Sequence, residues 1–201
     1  MQVIFSLLDL QSEKFRDKEV LEAFRESQSR VISMSLIHEE LYREGEADTL
    51  DFSAYLQNLV KNLFHTYMIK SKNICLFMNL EKNAFFDMDI AVPLGMIVNE
   101  LVSNSLKHAF PGQKAGEIQI KLTGEKVTDE LIDDNRKHKR KDTGYTLIVS
   151  DNGVGIPENI DLENSDTLGM QLVDILVDQL DGEIEIKRDK GTEFTIRFSN
   201  I

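Results

Sequence analysis

At 201 residues the chain has room for one or two domains, and 41% hydrophobic with 29% charged content is that of a soluble globular protein with a sizeable core. A net charge of −12 argues against nucleic acid as a main partner, because phosphate binding needs clustered Lys and Arg. The single cysteine, Cys75, excludes an intrachain disulfide and fits a cytoplasmic, reducing setting; no apolar run is long enough to span a membrane, and no signal peptide opens the chain.

Residues 1–12 read as the end of an amphipathic helix with no cap or lead-in, as if the chain were cut into it. Phe15-Arg-Asp-Lys18 is a connector, and Asp17 is placed to cap a second helix running to about Arg43. Along that helix Val20, Phe24, Ser27, Val31, Met34, His38, Leu41 and Tyr42 form one stripe of near-heptad period, and Gly45 stops it. The expectation is a helical hairpin over 1–46 whose stripe is covered in a homodimer, as a four-helix bundle.

A second domain is expected over 51–201. Asp51 or Ser53 starts a helix through Tyr67, and Asn73–Leu80 reads as a buried strand with Cys75 as a buried structural thiol. A helical run from about Asp89 ends at Phe110-Pro-Gly112. Glu117–Leu122 alternates strictly and is a strand; residues 124–143 form a long exposed turn, whose basic cluster Arg136–Lys141 is a solvated loop. Tyr145–Ser150 is the next strand, Leu168–Leu180 a helix, and Glu183–Lys187 and Glu193–Phe198 the closing strands. The fold class is α+β: a helical hairpin followed by a two-layer α/β sandwich, with three helices on a mixed sheet.

Four stretches carry chemistry. In the central helix Glu100, Asn104, Lys107 and His108 are spaced to share one face, opposite Ala91, Leu94, Val98, Leu101, Val102, Ser105 and Ala109. Such a face is either solvated or suited to a metal–phosphate group, with Asn104 as a hard oxygen ligand and Glu100 positioning water. Asp151-Asn-Gly-Val-Gly155 follows a strand, where Asn-Gly normally makes a hairpin, but Ile156-Pro-Glu-Asn159 does not continue as one. Its glycines permit close approach to a flat ligand, and Asp151 can accept from an exocyclic amine. Leu168-Gly-Met170 opens a helix whose first N–H groups suit an anion. Gly191-Thr192 is a turn by default, with a hydroxyl able to complete a purine pocket.

In that order and spacing the four stretches resemble the boxes of the Bergerat fold, the ATP-binding domain of sensor histidine kinases, type II topoisomerases, heat-shock chaperones and mismatch-repair ATPases. Ser6–Ser12 and Ser29–Tyr42 are similar to the region before that domain in histidine kinases related to the HWE group. The resemblance implies ATP with Mg2+ as cofactors and a response regulator receiver domain as partner. Asn104 would ligate magnesium, and Glu100 would order water. Lys107 and His108 would face phosphates. Asp151 would take the adenine amine, with Gly153, Gly155 and Thr192 shaping the pocket, and Leu168, Gly169 and Met170 would close a short lid lacking a phenylalanine box. In this group the phosphoacceptor histidine lies a few residues before the equivalent of Gln2, so none is expected here. His38 is expected to pack in the bundle. The alternatives are a non-catalytic nucleotide-binding or dimerisation module, or a gating ATPase of the same fold.

Overall fold

The computed structural model describes residues 2–43, 49–67, 73–112, 115–126, 143–157 and 167–200. The stop at Gly45, the basic cluster with His138, and most of the lid lie outside the described residues, as does the His38 side chain.

Helix α1 (Gln2–Ser12) folds back along α2 (Lys18–Arg43) as the expected hairpin. Asp17 caps α2 through Val20 N at 3.4 Å, and Phe15 packs on Phe24 with ring centroids 5.7 Å apart. The buried face of α2 is not the expected stripe. Val20, Phe24, Ser27, Val31 and Met34 are only partly covered, whereas Ser29, Ser33 and Ile37 are buried. Small serines let α2 lie close against the next domain. Ser29 Oγ donates to Asn99 Oδ1 at 2.8 Å, and the Tyr55 hydroxyl donates to the Ser33 carbonyl at 3.3 Å. Apolar periodicity could not register a face that docks through hydroxyls and backbone.

The second layer begins with β1 (Leu50–Asp51) and α3 (Phe52–Tyr67). Asp51 Oδ1 accepts from the amides of Ser53 and Ala54, at 3.0 and 3.2 Å, and so caps α3. β2 (Asn73–Leu80) and β3 (Phe85–Phe86) lead to α4 (Met88–Asn104), capped by Asp87 through Ile90 N at 3.1 Å. β4 (Ala115–Lys126), β5 (Thr143–Asp151), α5 (Leu168–Gln179), β6 (Glu183–Lys187) and β7 (Thr192–Asn200) complete the described chain.

The five-stranded sheet has the order β2-β4-β5-β7-β6, with β2 parallel to β4 and the other pairs antiparallel. Helices α3, α4 and α5 bury Leu59, Leu94, Val98, Leu101, Val173 and Val177 against Ile118, Ile120, Leu147, Val149 and Ile196 of the sheet. This is the mixed two-layer sandwich expected from the sequence. β2 departs from expectation: it is an edge strand, and Cys75 and Phe77 are exposed. An apolar composition does not distinguish an edge from a centre. The small β1–β3 ribbon was also not foreseen, since two-residue strands show no alternation. It seats Phe86 edge-on to Tyr145 at 4.8 Å and near Phe52 at 5.3 Å.

Candidate functional site

Helix α4 does not end as an α-helix. After Asn104 it widens into a π-turn over Ser105–Ala109. Such turns cluster at functional sites because the extra residue re-aims side chains. Here Glu100, Asn104, Ser105 and His108 stay on the wall of one cavity of about 360 Å³, a volume within the range of small-molecule sites. Lys107 is carried off that wall and reaches α2. Its Nζ donates to Glu26 at 2.8 Å and Glu22 at 3.1 Å, and lies 5.1 Å from the centre of the Tyr67 ring. The shared face read at α-helical spacing therefore holds for Glu100, Asn104 and His108 but not for Lys107.

Glu100 is buried and strongly bound. The Arg30 guanidinium of α2 grips it bidentately, Nε to Oε1 at 2.8 Å and Nη2 to Oε2 at 2.9 Å, and Asn99 Nδ2 donates to Oε1 at 3.1 Å. Arg30 and Glu26, which also lines the cavity, were missed by the sequence reading. The available signal was the i, i+4, i+8 spacing of Glu22, Glu26 and Arg30 along α2.

The sheet supplies the opposite wall. Asp151, at the end of β5, pairs in register with Thr192 at the start of β7, and both line the cavity. Asp151 Oδ2 accepts from Ser105 Oγ at 2.8 Å, and Oδ1 from the Gly153 amide at 2.9 Å. The Asn152-Gly153 step does not turn into a hairpin. Asn152 Oδ1 takes the Glu117 amide at 2.8 Å, and Val154 N donates to the Ala109 carbonyl at 2.8 Å, which draws the chain over the end of the π-turn. Gly153 lies so close to that carbonyl that a Cβ would overlap it, so it shapes the site from behind rather than lining it. Gly155 does line the cavity, as do Leu168, Gly169 and Met170 at the start of α5. A Cβ on Gly169 would stand 2.7 Å from Glu100 Oε2; its absence lets α5 close on α4.

The electrostatics follow from these contacts. Burial works against the charge of Lys107, but its hydrogen bonds to Glu26 and Glu22 prevail and its pKa is raised. Burial and, behind it, the Lys107 charge lower the pKa of His108, so the imidazole is neutral at pH 7 and offers a hydrogen bond rather than a charge. Asn104 Nδ2 points at Met170 Sδ at 3.7 Å, which leaves Oδ1 as the hard oxygen Asn104 has for a cation. Among the described residues no cluster of three or more His, Cys, Asp or Glu could cage a metal. Magnesium held by one amide oxygen and substrate phosphates needs none, so the donor set fits it.

Residues 1–67 match a family described as histidine kinase, and residues 89–200 match histidine kinase-, DNA gyrase B- and HSP90-like ATPase. The chain is 29% identical over 206 residues to the sensor histidine kinase PdtaS of Mycobacterium tuberculosis, covering 98% of this chain and 36% of that protein. It is 26% identical over 167 residues to blue-light-activated histidine kinase 2 of Erythrobacter litoralis, covering 79% of this chain and 42% of that protein. The chain thus spans well under half the length of these relatives. The histidine kinase domain of the Erythrobacter litoralis EL346 blue-light-activated kinase superposes with a TM-score of 0.72 at 25% identity, over 98% of this chain and 83% of that one. With the second match covering more than half of the chain and containing the π-turn, Asp151, the start of α5 and Thr192, the chain belongs to the histidine kinase-, DNA gyrase B- and HSP90-like ATPase family.

Proposed function

We propose that the chain is the ATP-binding catalytic region of a two-component sensor histidine kinase, with a dimerisation hairpin at 1–46 and the ATP-binding domain at 51–201. The observation that carries this is the convergence of Asp151, Asn104 and the start of α5 on one cavity, within a chain whose hairpin and sandwich both match histidine kinase families. Asp151 would accept from the adenine amine, held in orientation by Ser105 and Gly153. Thr192 and Gly155 would flank the base. Gly169 and Met170, at the positive end of the α5 dipole, would face the phosphates together with His108. Asn104 would hold Mg2+, which when bound supplies charge neutralisation across the phosphate oxygens.

In the reaction, a histidine nitrogen attacks the γ-phosphorus in line, the bond to the β-phosphate oxygen breaks, and ADP leaves; the protein positions the groups and stabilises charge. Glu100 would orient the attacking group once its carboxylate is accessible. An aspartate of a receiver domain then takes the phosphoryl group. Among the described residues no helix is long and apolar enough to cross a membrane. The proposed use of ATP and a receiver domain would place this region in the cytoplasm. The exposed Val3, Leu7 and Leu10 on α1 support a homodimer through the hairpin.

The test is calorimetric titration of Mg-ATP into the parent chain and Asn104→Ala. Binding by the parent, with the magnesium-dependent part of the affinity lost in the variant, is expected. A parent chain that does not bind Mg-ATP would overturn the reading.

A further inference from the structure

We propose that the Ser105 hydroxyl is a second reader of the nucleotide base: it leaves Asp151 when the base enters and donates to the purine ring nitrogen N1, while Asp151 takes the neighbouring amine. The inference rests on the ATP-binding reading above and adds to it which side chain completes recognition of the base.

Two serines flank Asn104, and they behave differently. Ser103 Oγ donates to the Glu100 carbonyl at 3.0 Å, a local bond back along its own helix. Ser105 Oγ instead makes its bond across the fold, to Asp151 Oδ2 at 2.8 Å, between residues 46 apart in the chain. Its backbone is held independently, because the Ser105 N–H donates to the Leu101 and Val102 carbonyls where α4 passes into the π-turn. The hydroxyl proton can therefore turn while the main chain stays in place. The residue is 8% exposed and lines the cavity beside Asp151. At α-helical spacing it belongs with Leu101 and Val102 on the docking face, so spacing alone assigns it no part in the site.

Ser105 and Asp151 meet at the seam between the α4 wall and the sheet wall, and present a donor beside an acceptor 2.8 Å apart. The edge of adenine carries the complement: its exocyclic amine donates, and the adjacent N1 accepts. Asp151 does not depend on Ser105 for its place. Its Oδ1 accepts from the Gly153 amide at 2.9 Å, and Gly153 is itself close against the Ala109 carbonyl. The exchange loses no hydrogen bond. In the empty site the hydroxyl satisfies Oδ2. In the filled site the amine satisfies Oδ2, and the hydroxyl finds its new partner in N1. Leu101, Ile156 and Phe194 line the same cavity and give the faces of a flat base apolar cover, which keeps water from competing at this edge.

The experiment uses the full chain. Mg-ATP and Mg-1-deaza-ATP, in which N1 is replaced by C–H, are titrated by calorimetry into the parent, Ser105→Ala and Ser105→Thr. The affinities of parent and Ser105→Ala for the two nucleotides form a double-mutant cycle between one hydroxyl and one base atom, so a purely structural effect of the substitution cancels. The parent is expected to bind Mg-ATP about fivefold more tightly than Mg-1-deaza-ATP, the net weight of one hydrogen bond, and Ser105→Ala to bind the two about equally. Ser105→Thr, which keeps the hydroxyl, is expected to keep the preference. A parent chain that binds both nucleotides equally would overturn the assignment with no variant involved. So would a preference that survives in Ser105→Ala, since another group then reads N1. Either result leaves the ATP-binding reading intact. A parent chain that binds neither nucleotide would overturn both.

Discussion

Replacing Asp151 by Asn separates recognition of the base from folding. Asp151 is satisfied on both oxygens, by the Ser105 hydroxyl at 2.8 Å and the Gly153 amide at 2.9 Å. The Gly153 amide can only donate, so an Asn carboxamide must keep its oxygen on that side. Its NH2 then faces Ser105, whose hydroxyl can rotate to accept. The local network survives, and the expected change in folding stability is within about 1 kcal/mol. An exocyclic amine fares differently. It loses the carboxylate charge and meets an NH2 where an acceptor stood, which costs about 2 kcal/mol, or about thirtyfold in Kd. Inosine triphosphate carries a carbonyl in place of that amine, so it should lose affinity less than ATP or gain it. The assay is calorimetric titration of both nucleotides into parent and Asp151→Asn, beside a thermal melt of each protein. Equal binding of ATP and inosine triphosphate by the parent would refute the reasoning, as would an unaltered ATP affinity in a folded variant.

Burial lowers the pKa of His108, so the native state gives up this proton at a lower pH than the unfolded chain. In the window below about pH 6.5 the unfolded chain therefore binds more protons, and stability falls as pH drops through the folded pKa. Thermal melts at pH 5.5 and 7.5 should show a smaller acid loss in His108→Gln than in the parent. Bound ATP should raise the His108 pKa, visible in NMR titration as a move of its ring-proton midpoint to higher pH. Phe86→Ala should cost about 3–5 kcal/mol in urea unfolding, because a fully buried ring between Phe52 and Tyr145 leaves a cavity that rigid neighbours cannot fill. A loss under 1 kcal/mol would show that the β1–β3 ribbon is not part of the core.

What was legible in the sequence was local. The cap of α2 at Asp17, the buried face of α4 and the alternation of Ile118, Ile120 and Leu122 depend on neighbours a few residues away. Asp151, Gly169 and Thr192 could be picked out because turn chemistry and a helix start mark them, and Asn104 because helical spacing puts it with Glu100 and His108. Cys75 was misplaced because it and Phe77 alternate with Ile74 and Leu76, which pack on the core, and so fall on the other face of the sheet. Lys107 was misplaced because a π-turn has no sequence signal comparable to proline or glycine, yet it changes which residues share a face. Arg30 and Glu26 were not singled out, since charges spaced by four look the same whether they meet water or a partner helix.

Charge ties these misplacements together. The charged side chains lining the cavity are Glu26, Glu100 and Asp151, and His108 is neutral at pH 7. Among the described residues no Lys or Arg lines the cavity. With α2 docked, two of the three carboxylates are paired, Glu100 with Arg30 and Glu26 with Lys107, while Asp151 is held by the Ser105 hydroxyl and the Gly153 amide. On the proposed reading Asp151 serves the base, at a distance from the phosphates set by the length of the nucleotide. Glu100 and Glu26 would then stand on the phosphate side, beside the start of α5. The positive end of the α5 dipole adds about half a unit charge to that side. On the proposed reading a divalent cation at Asn104 would supply the positive charge that the described lining residues do not. The π-turn is therefore the feature that takes Lys107 off the cavity wall and gives it to the acids of α2, so that the cavity keeps Asn104 and the start of α5 but no side-chain cation among the described residues.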